Sequence, residues 1–134
     1  MTGTPMRLDA WHDYEQSQDP AILDRLLHDD VVFHSPVVHT PQRGKAITKA
    51  YLVAATRVLF SPDFRYVRTF DCGERTVLEF VTEIDGIQIN GVDMIEWDAD
   101  GRITDFKVMV RPLKAIEKLH SLMAEMLQKM ANRG

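Results

Sequence analysis

The sequence predicts a single α+β domain of 134 residues, with helices first, a curved antiparallel sheet after them, and a small apolar pocket enclosed between the two. Hydrophobic residues recur at helical spacing from Leu8 until Ser61-Pro62, where the proline ends the helical pattern. From Phe64 they alternate with polar residues, which is the period of a strand with one buried face. After Pro112 the helical spacing returns. A chain of this length fits one domain.

The first half of the chain is predicted to be mainly helical. Leu8, Trp11 and Tyr14 stand at helical spacing, and Asp19-Pro20 then restarts the chain as an N-cap followed by proline in the first turn. The elements that follow are a helix over Ala21–Leu27, an extended run over Val31–Ser35, a loop over 37–43 and a third helix after Gly44. The inward face of that third helix is expected to comprise Ile47, Ala50, Tyr51, Ala54 and Val58.

The second half is predicted to form a sheet closed by a helix. The four strands span about residues 64–70, 75–84, 87–97 and 102–111. Asp85-Gly86 predicts a two-residue type I′ hairpin, because that turn needs positive φ at both central positions. A last helix runs from Pro112 to about Met130, with an apolar side made of Leu113, Ile116, Leu119, Met123, Met126, Leu127 and Met130. We expect this helix either to lie over the pocket mouth or to lie across a partner subunit.

The hairpin turn determines the pairing of the two central strands. It places Leu78 opposite Asp93, on one side of the sheet. If Trp97 pairs with Arg102 across the following turn, Phe106 lies on the other flank of Asp93. The apolar face of the sheet then comprises Leu78, Phe80, Ile84, Ile87, Ile89, Ile95, Phe106, Val108 and Val110. Asp93 is the one carboxylate on that face.

Asp93 is therefore the strongest candidate for a functional group. A carboxylate surrounded by apolar side chains loses the hydration of its charged form, which raises its pKa. Groups with shifted pKa values cluster at functional sites. The other interpretation is structural: Asp93 pairs with Arg68, or accepts hydrogen bonds from the backbone or from Trp11.

Composition excludes several classes of protein. The 16 Lys and Arg residues are interleaved with 20 Asp and Glu, and the net charge is −4, whereas a nucleic-acid binder needs a concentrated basic face. The single cysteine, Cys72, stands beside Gly73 in a predicted turn, which favours a reducing compartment. No apolar run suggests a signal peptide or a membrane span. We therefore expect a cytoplasmic protein.

Neither a metal nor a cofactor is expected. The five histidines are His12, His28, His34, His39 and His120. None of them forms the HxH or HExxH spacing of a metal site, and one thiol is too few for a structural zinc. The sequence also has no glycine-rich phosphate loop and no GxSxG elbow.

Three segments resemble the NTF2-like superfamily, and most of all its SnoaL-like and ketosteroid-isomerase-like branch. They are Asp29-Asp30-Val31-Val32-Phe33-His34-Ser35-Pro36, Arg43-Gly44-Lys45-Ala46-Ile47 and the run from Val92 to Ile103. The resemblance covers about residues 7 to 112. It implies a cone, in which a curved sheet wraps around helices and encloses a pocket, often in a homodimer.

The resemblance carries only part of the family's catalytic equipment to this chain. Ketosteroid isomerases use a tyrosine on the first helix, a proton-shuttling aspartate just before the proline of the short strand, and a protonated aspartate on the sheet. The corresponding positions are Trp11, Ser35 and Asp93, so only the last keeps its residue type. Limonene-epoxide-hydrolase relatives place an arginine where this chain has Gly91. SnoaL-type cyclases use a pocket aspartate as acid or base, a role open to Asp93.

The candidate site follows from the predicted inner face and from this resemblance. The candidate catalytic residues are Asp93 and, if the short strand twists, His34. The candidate ligand-binding residues are Trp11, Tyr14, Phe33, Ser35, Ala54, Arg68, Leu78, Phe80, Ile95, Phe106 and Val108.

Two functions remain open at this point. The first is a cofactor-independent enzyme, such as an isomerase, cyclase or hydrolase-like protein, that acts on a small, mostly apolar, carbonyl-bearing molecule with Asp93 as its acid/base. The second is a non-catalytic ligand-binding or assembly module that uses the same pocket. We also expect a homodimer through the outer sheet face, where apolar residues interrupt a polar surface: Val77, Val81, Val92 and Met94.

Overall fold

The computed structural model describes residues 4–133. The helices are α1 (Thr4–Ser17), α2 (Pro20–Leu26), α3 (Lys45–Leu59) and α4 (Leu113–Arg133). The strands are β1 (Leu27–His34), β2 (Gln42–Arg43), β3 (Arg65–Asp71), β4 (Arg75–Ile84), β5 (Ile87–Trp97) and β6 (Ile103–Arg111). The predicted α+β cone with a long C-terminal helix is confirmed. Strand β1 begins earlier than predicted, and the predicted loop contains the short strand β2.

The six strands form one curved sheet in the order β2-β1-β6-β5-β4-β3. Strand β1 runs parallel to β6, and every other neighbouring pair is antiparallel. The prediction of a wholly antiparallel sheet was therefore wrong for one pair. Hairpin signals give the relative direction of consecutive strands only, and β1 and β6 are far apart in the chain.

The β4–β5 hairpin has the predicted turn and pairing. Asp85 has φ 52° and Gly86 has φ 80°, as a type I′ turn requires. Every predicted pair follows, including Leu78 opposite Asp93. Lys118 on α4 makes an ion pair with Asp85 at 2.6 Å, which connects the helix to the tip of the hairpin.

The β5–β6 pairing differs from the prediction by two residues. Trp97 pairs with Ile103, not with Arg102, and a bulge follows. Val108 therefore lies opposite Asp93, and Phe106 lies two pairs further along, opposite Ile95. A shift of two keeps each side chain on its face, because strand side chains alternate with a period of two.

The inward face of α3 is rotated from the predicted one. Its buried residues are Thr48, Leu52, Val53, Ala54, Thr56 and Leu59. Ile47, which was predicted to face inward, is 38% exposed. The prediction missed this face because two of its positions are threonines, which a hydrophobic pattern counts as polar.

The core lies between the inner sheet face and the helices. Trp11 and Tyr14 on α1 and Leu119 and Met123 on α4 are buried in it. Helix α4 packs against α3, β5 and β6. Within residues 4–133, no helix is long and apolar enough to cross a membrane.

Candidate functional site

A pocket lies between the helices and the inner face of the sheet. It contains about 560 Å³ of empty space, including its open mouth. Its walls are Trp11, Phe33, Ser35, Pro36, Val37, Leu52, Ala55, Thr56, Leu59, Phe60, Phe64, Phe80, Asp93, Phe106, Val108, Leu119 and Met123. Among these residues only Ser35, Thr56 and Asp93 have polar side-chain oxygens. The pocket therefore suits a mostly apolar ligand with few polar groups.

Asp93 reaches the pocket from the middle of β5. Its neighbours across the ladder are Leu78 and Val108, and the residue is only 6% exposed. Two residues earlier, the ring of Phe80 lies over Gly91, where a Cβ atom would clash with it. The arginine that the epoxide-hydrolase resemblance places there has no room unless Phe80 moves.

The carboxyl group of Asp93 ends a chain of hydrogen bonds that starts on α1. Trp11 donates from Nε1 to the Tyr66 hydroxyl oxygen at 3.0 Å. Tyr66 donates that hydroxyl hydrogen to Oδ2 of Asp93 at 2.7 Å. The indole nitrogen can only donate, and the Tyr66 hydroxyl hydrogen is directed to Asp93, so both bonds run toward Asp93.

This direction determines which oxygen of Asp93 carries a proton. Oδ2 accepts from Tyr66, so the hydrogen of the neutral acid is on Oδ1. Among the described residues, none forms a hydrogen bond with Oδ1, and Asp93 is part of the pocket wall. The neutral acid therefore has a hydroxyl group that it can donate to a ligand.

Burial raises the pKa of Asp93 from 3.8 to about 7. The hydrogen bond from Tyr66 lowers the pKa and partly offsets this effect, while the negative charge of Glu15 raises it. Burial also raises the pKa of Tyr66 well above 10.0, and the charge of Asp93 adds to that shift. Tyr66 therefore remains a hydrogen-bond donor near neutral pH, where Asp93 changes its charge.

Tyr66 takes the place that the structural interpretation gave to Arg68. A bulge separates the two residues in the β3–β4 ladder: Tyr66 pairs with the inward Phe80, whereas Arg68 pairs with the outward Glu79. Arg68 makes an ion pair with Glu79 at 2.9 Å. The expected contact between Arg68 and the pocket is therefore absent.

Of the predicted site residues, one group lines the pocket and the rest lie elsewhere. The pocket brings together Trp11, Phe33, Ser35, Phe80, Asp93, Phe106 and Val108. Ala54, Leu78 and Ile95 are buried in the core behind its wall. His34 is bound to Asp105 at 3.0 Å on the outer side of the sheet.

Tyr14 lies behind the pocket and supports a residue of its wall. Thr56 donates its one hydroxyl hydrogen to the carbonyl of Leu52 at 2.7 Å. The 2.7 Å hydrogen bond between Tyr14 and Thr56 is therefore donated by Tyr14. Thr56 and the neighbouring Ala55 line the pocket, although the list of candidate ligand-binding residues includes neither.

The prediction also missed Tyr66 and the wall formed by α4. Because Tyr66 and Arg68 are two residues apart, the alternation of a regular strand places both on the same face. The pattern alone could not show which of them points inward. The aromatic pair Phe64 and Tyr66, next to Phe80 in the sheet, was the available signal. Among the residues that the structure describes, no three histidine, cysteine or acidic side chains are placed to hold a metal ion.

Comparisons with known proteins agree with this architecture. The sequence matches the model of the SnoaL-like domain over residues 8–106. Among curated proteins, none matches it. A crystal structure described as a steroid delta-isomerase from Pseudomonas aeruginosa is 35% identical, with a TM-score of 0.91 over 98% of this chain and 96% of that one.

Two further solved structures show the same fold. A protein with a cystatin-like fold from Silicibacter pomeroyi is 28% identical, with a TM-score of 0.85 over 94% of this chain and 88% of that one. An NTF2-like protein of unknown function from Mesorhizobium loti is 21% identical, with a TM-score of 0.69 over 84% of this chain and 96% of that one. The match to the family model covers most of the chain and fits the pocket-bearing cone. The chain belongs to the SnoaL-like family.

Proposed function

We propose that this protein binds a small, mostly apolar, carbonyl-bearing molecule in the pocket and that Asp93 acts on it as an acid without a cofactor. The observation that carries the proposal is the arrangement of the Asp93 carboxyl group. One oxygen accepts a hydrogen bond from Tyr66, and the other is free to donate a proton to a ligand. A carbonyl oxygen is an acceptor that fits this donor.

The chemistry that this group supports is activation of a carbonyl. Oδ1 donates its proton toward the ligand oxygen as the C=O π electrons move onto that oxygen. Loss of a hydrogen from the adjacent carbon then supplies the electron pair for the C=C bond of an enol. Fixed donors in a water-poor site stabilise such developing charge strongly.

A second group must accept the carbon-bound hydrogen. Among the pocket-lining residues, Asp93 is the one titratable side chain. Ser35 occupies the position that holds the proton-shuttling carboxylate in ketosteroid isomerases, and a serine hydroxyl is a poor base near neutral pH. Solvent water at the pocket mouth must then take this proton, so ligands whose carbon is already acidic, such as β-dicarbonyl compounds that close a ring within one molecule, suit this pocket better than a proton shift along a steroid.

The alternative is a binding module without catalysis. Among the described residues, no titratable side chain other than Asp93 lines the pocket, and this observation favours the alternative. In this case the neutral Asp93 serves only as a hydrogen-bond donor that selects ligands with an acceptor. Both functions require ligand binding, and they differ in whether the ligand's carbon-bound hydrogens exchange.

Binding and exchange can be measured on one pair of probes. The ketone 2-acetonaphthone carries the acceptor, and 2-ethylnaphthalene has a similar shape without it. We expect the protein to bind the ketone about 3- to 10-fold more tightly, as one neutral hydrogen bond provides. This preference should disappear as the pH rises through about 7, because Asp93 then loses its proton. Equal affinity for both probes below pH 7 would contradict the proposal.

Exchange of the acetyl hydrogens for deuterium separates the two functions. An enzyme should accelerate this exchange, and Asp93→Asn should abolish the acceleration while it keeps a pH-independent preference for the ketone, because the amide can still donate. Asp105→Asn on the outer sheet face is the matched control and should change neither result. Binding without accelerated exchange would assign the protein to the alternative.

A further inference from the structure

A second depression lies on the other side of the segment that closes the pocket. We call it the outer groove, and its lining is His34, Ser35, Pro36, Val38, His39, Lys107, Val108, Met109 and Val110. Ser35, Pro36 and Val108 line the pocket as well. The two spaces therefore adjoin along these three residues.

The groove exists because β1 is shorter than its neighbour in the sheet. The last pair between the two strands joins His34 to Lys107. Strand β6 continues to Arg111, while the chain after His34 turns away from the sheet. The groove lies beside this part of β6, next to the lining that it shares with the pocket.

The charged side chains that line the groove are all basic or can become so. They are His34, His39 and Lys107. His34 already has Asp105 as a partner at 3.0 Å. Lys107 is half-buried, and its side chain forms no ion pair or hydrogen bond with any other described residue. A partly desolvated ammonium group without a partner favours an anion beside it.

We propose that the outer groove binds the anionic head of the ligand whose apolar body occupies the pocket, so that the ligand is an amphipathic carboxylic acid. This inference rests on the proposed function in one respect, namely that the pocket is a ligand site. Asp93 pairs with Val108, and Ser35 follows the last β1–β6 pair. The path from Asp93 to the groove thus crosses two strand spacings, or roughly 10 Å, a length that an eight-carbon chain covers.

Three probes of equal length test the head group. Octanoate, 1-octanol and octylamine carry an anionic, a neutral and a cationic head. We expect octanoate to bind about 10- to 100-fold more tightly than 1-octanol, as a hydrogen bond to a charged partner provides, and octylamine to bind least. Lys107→Gln should remove the preference for octanoate. Lys114→Gln, at an exposed lysine on α4, is the matched control and should preserve it.

Methyl signals of labelled methionines report where the probe lies. Octanoate should shift the signal of Met123 in the pocket and that of Met109 in the groove. A preference for octanoate that survives Lys107→Gln would overturn the inference, and so would a response of Met109 without Met123. If 2-acetonaphthone binds as proposed while octanoate shows no preference over 1-octanol, the groove inference fails and the proposed function stands.

Discussion

Tyr66 donates a hydrogen bond to one oxygen of Asp93 at 2.7 Å and thereby leaves the acid proton to the other oxygen. Trp11 fixes the direction of this bond, because it donates to the same Tyr66 hydroxyl at 3.0 Å. Tyr66 lies on β3 and Asp93 on β5, 27 positions apart in the sequence, and the two side chains meet across the intervening strand β4. Their contact turns a buried carboxyl group into a directed donor, and the predictions below follow from it.

Asp93→Asn should become stabilising relative to wild type as the pH rises. The pKa of Asp93 is 3.8 in its unperturbed state and about 7 in the fold. Between these values the native state holds a proton that the unfolded chain releases, so wild-type stability falls with rising pH and levels off above 7. The shift corresponds to a loss of roughly 4 kcal/mol of wild-type stability. The Asp93→Asn variant does not lose this stability, because an amide does not ionise.

Urea denaturation of both proteins at pH 5 and pH 8 measures this effect. The difference in unfolding free energy should move in favour of the variant between the two conditions. A difference that stays constant with pH would show that Asp93 is ionised in the fold, contrary to our account.

Tyr66→Phe should raise the pKa of Asp93 further. The hydrogen bond from Tyr66 is the one influence that lowers this pKa, so its loss leaves burial unopposed. The variant should also lose about 1–3 kcal/mol of stability, because the indole nitrogen of Trp11 is left without its acceptor. Thermal unfolding with a parallel pH titration checks both effects. Tyr51→Phe, at a tyrosine outside this chain of bonds, should leave the pKa of Asp93 unchanged.

Steroid isomerisation by the wild-type protein should be negligible. Ser35 stands where the family mechanism needs a carboxylate, and Asp93 alone cannot move a proton between two carbons. Absorbance of the conjugated product formed from a β,γ-unsaturated 3-ketosteroid gives the rate. Ser35→Asp should raise the rate above that of Ser35→Asn, which has a similar shape and no base. Appreciable wild-type turnover would show that another residue acts as the base.

We also propose a homodimer through the outer face of the sheet. The predicted residues Val77, Val81 and Val92 are partly exposed there, and Met94 is 38% exposed. Phe70, which pairs with Val77, is 55% exposed and extends this face. An apolar surface of this kind is typical of an interface.

Light scattering at micromolar concentration tests the assembly. Wild type should show about twice the chain mass of 15.4 kDa, and Met94→Glu should shift the population toward the monomer. Ile47→Glu, at a residue of α3 with the same 38% exposure, should leave the dimer intact. A wild-type protein that scatters as a single chain would rule out this interface.

The sequence predicted those parts of the site that depend on the alternation of side chains along a strand and on the Asp85-Gly86 turn. Asp85-Gly86 determines the β4–β5 pairing, and from it the position of Asp93 follows. The Trp97–Arg102 pairing failed because Trp97 pairs with Ile103 and the adjacent bulge adds one more residue, so the rest of the ladder is shifted by two, a change that leaves the alternating pattern unaltered.

A second bulge explains the most consequential omission. In β3, Tyr66 faces inward and Arg68 outward although they are two residues apart. A regular strand would place both on one face, and nothing in the local sequence marks the extra residue between them. The partner of Asp93 is thus set by the pairing of β3 with β4, which the sequence does not specify.

The titration of the Asp93 carboxyl carbon, followed by NMR on labelled protein, tests the central claim most directly. Our account predicts a midpoint at about pH 7, and a higher midpoint when 2-acetonaphthone is bound, because the ligand accepts a hydrogen bond from the neutral acid alone. A midpoint near 3.8, the ordinary value of the group, would mean that Asp93 is ionised in the pocket at neutral pH. That result would contradict its assignment as the acid of this site.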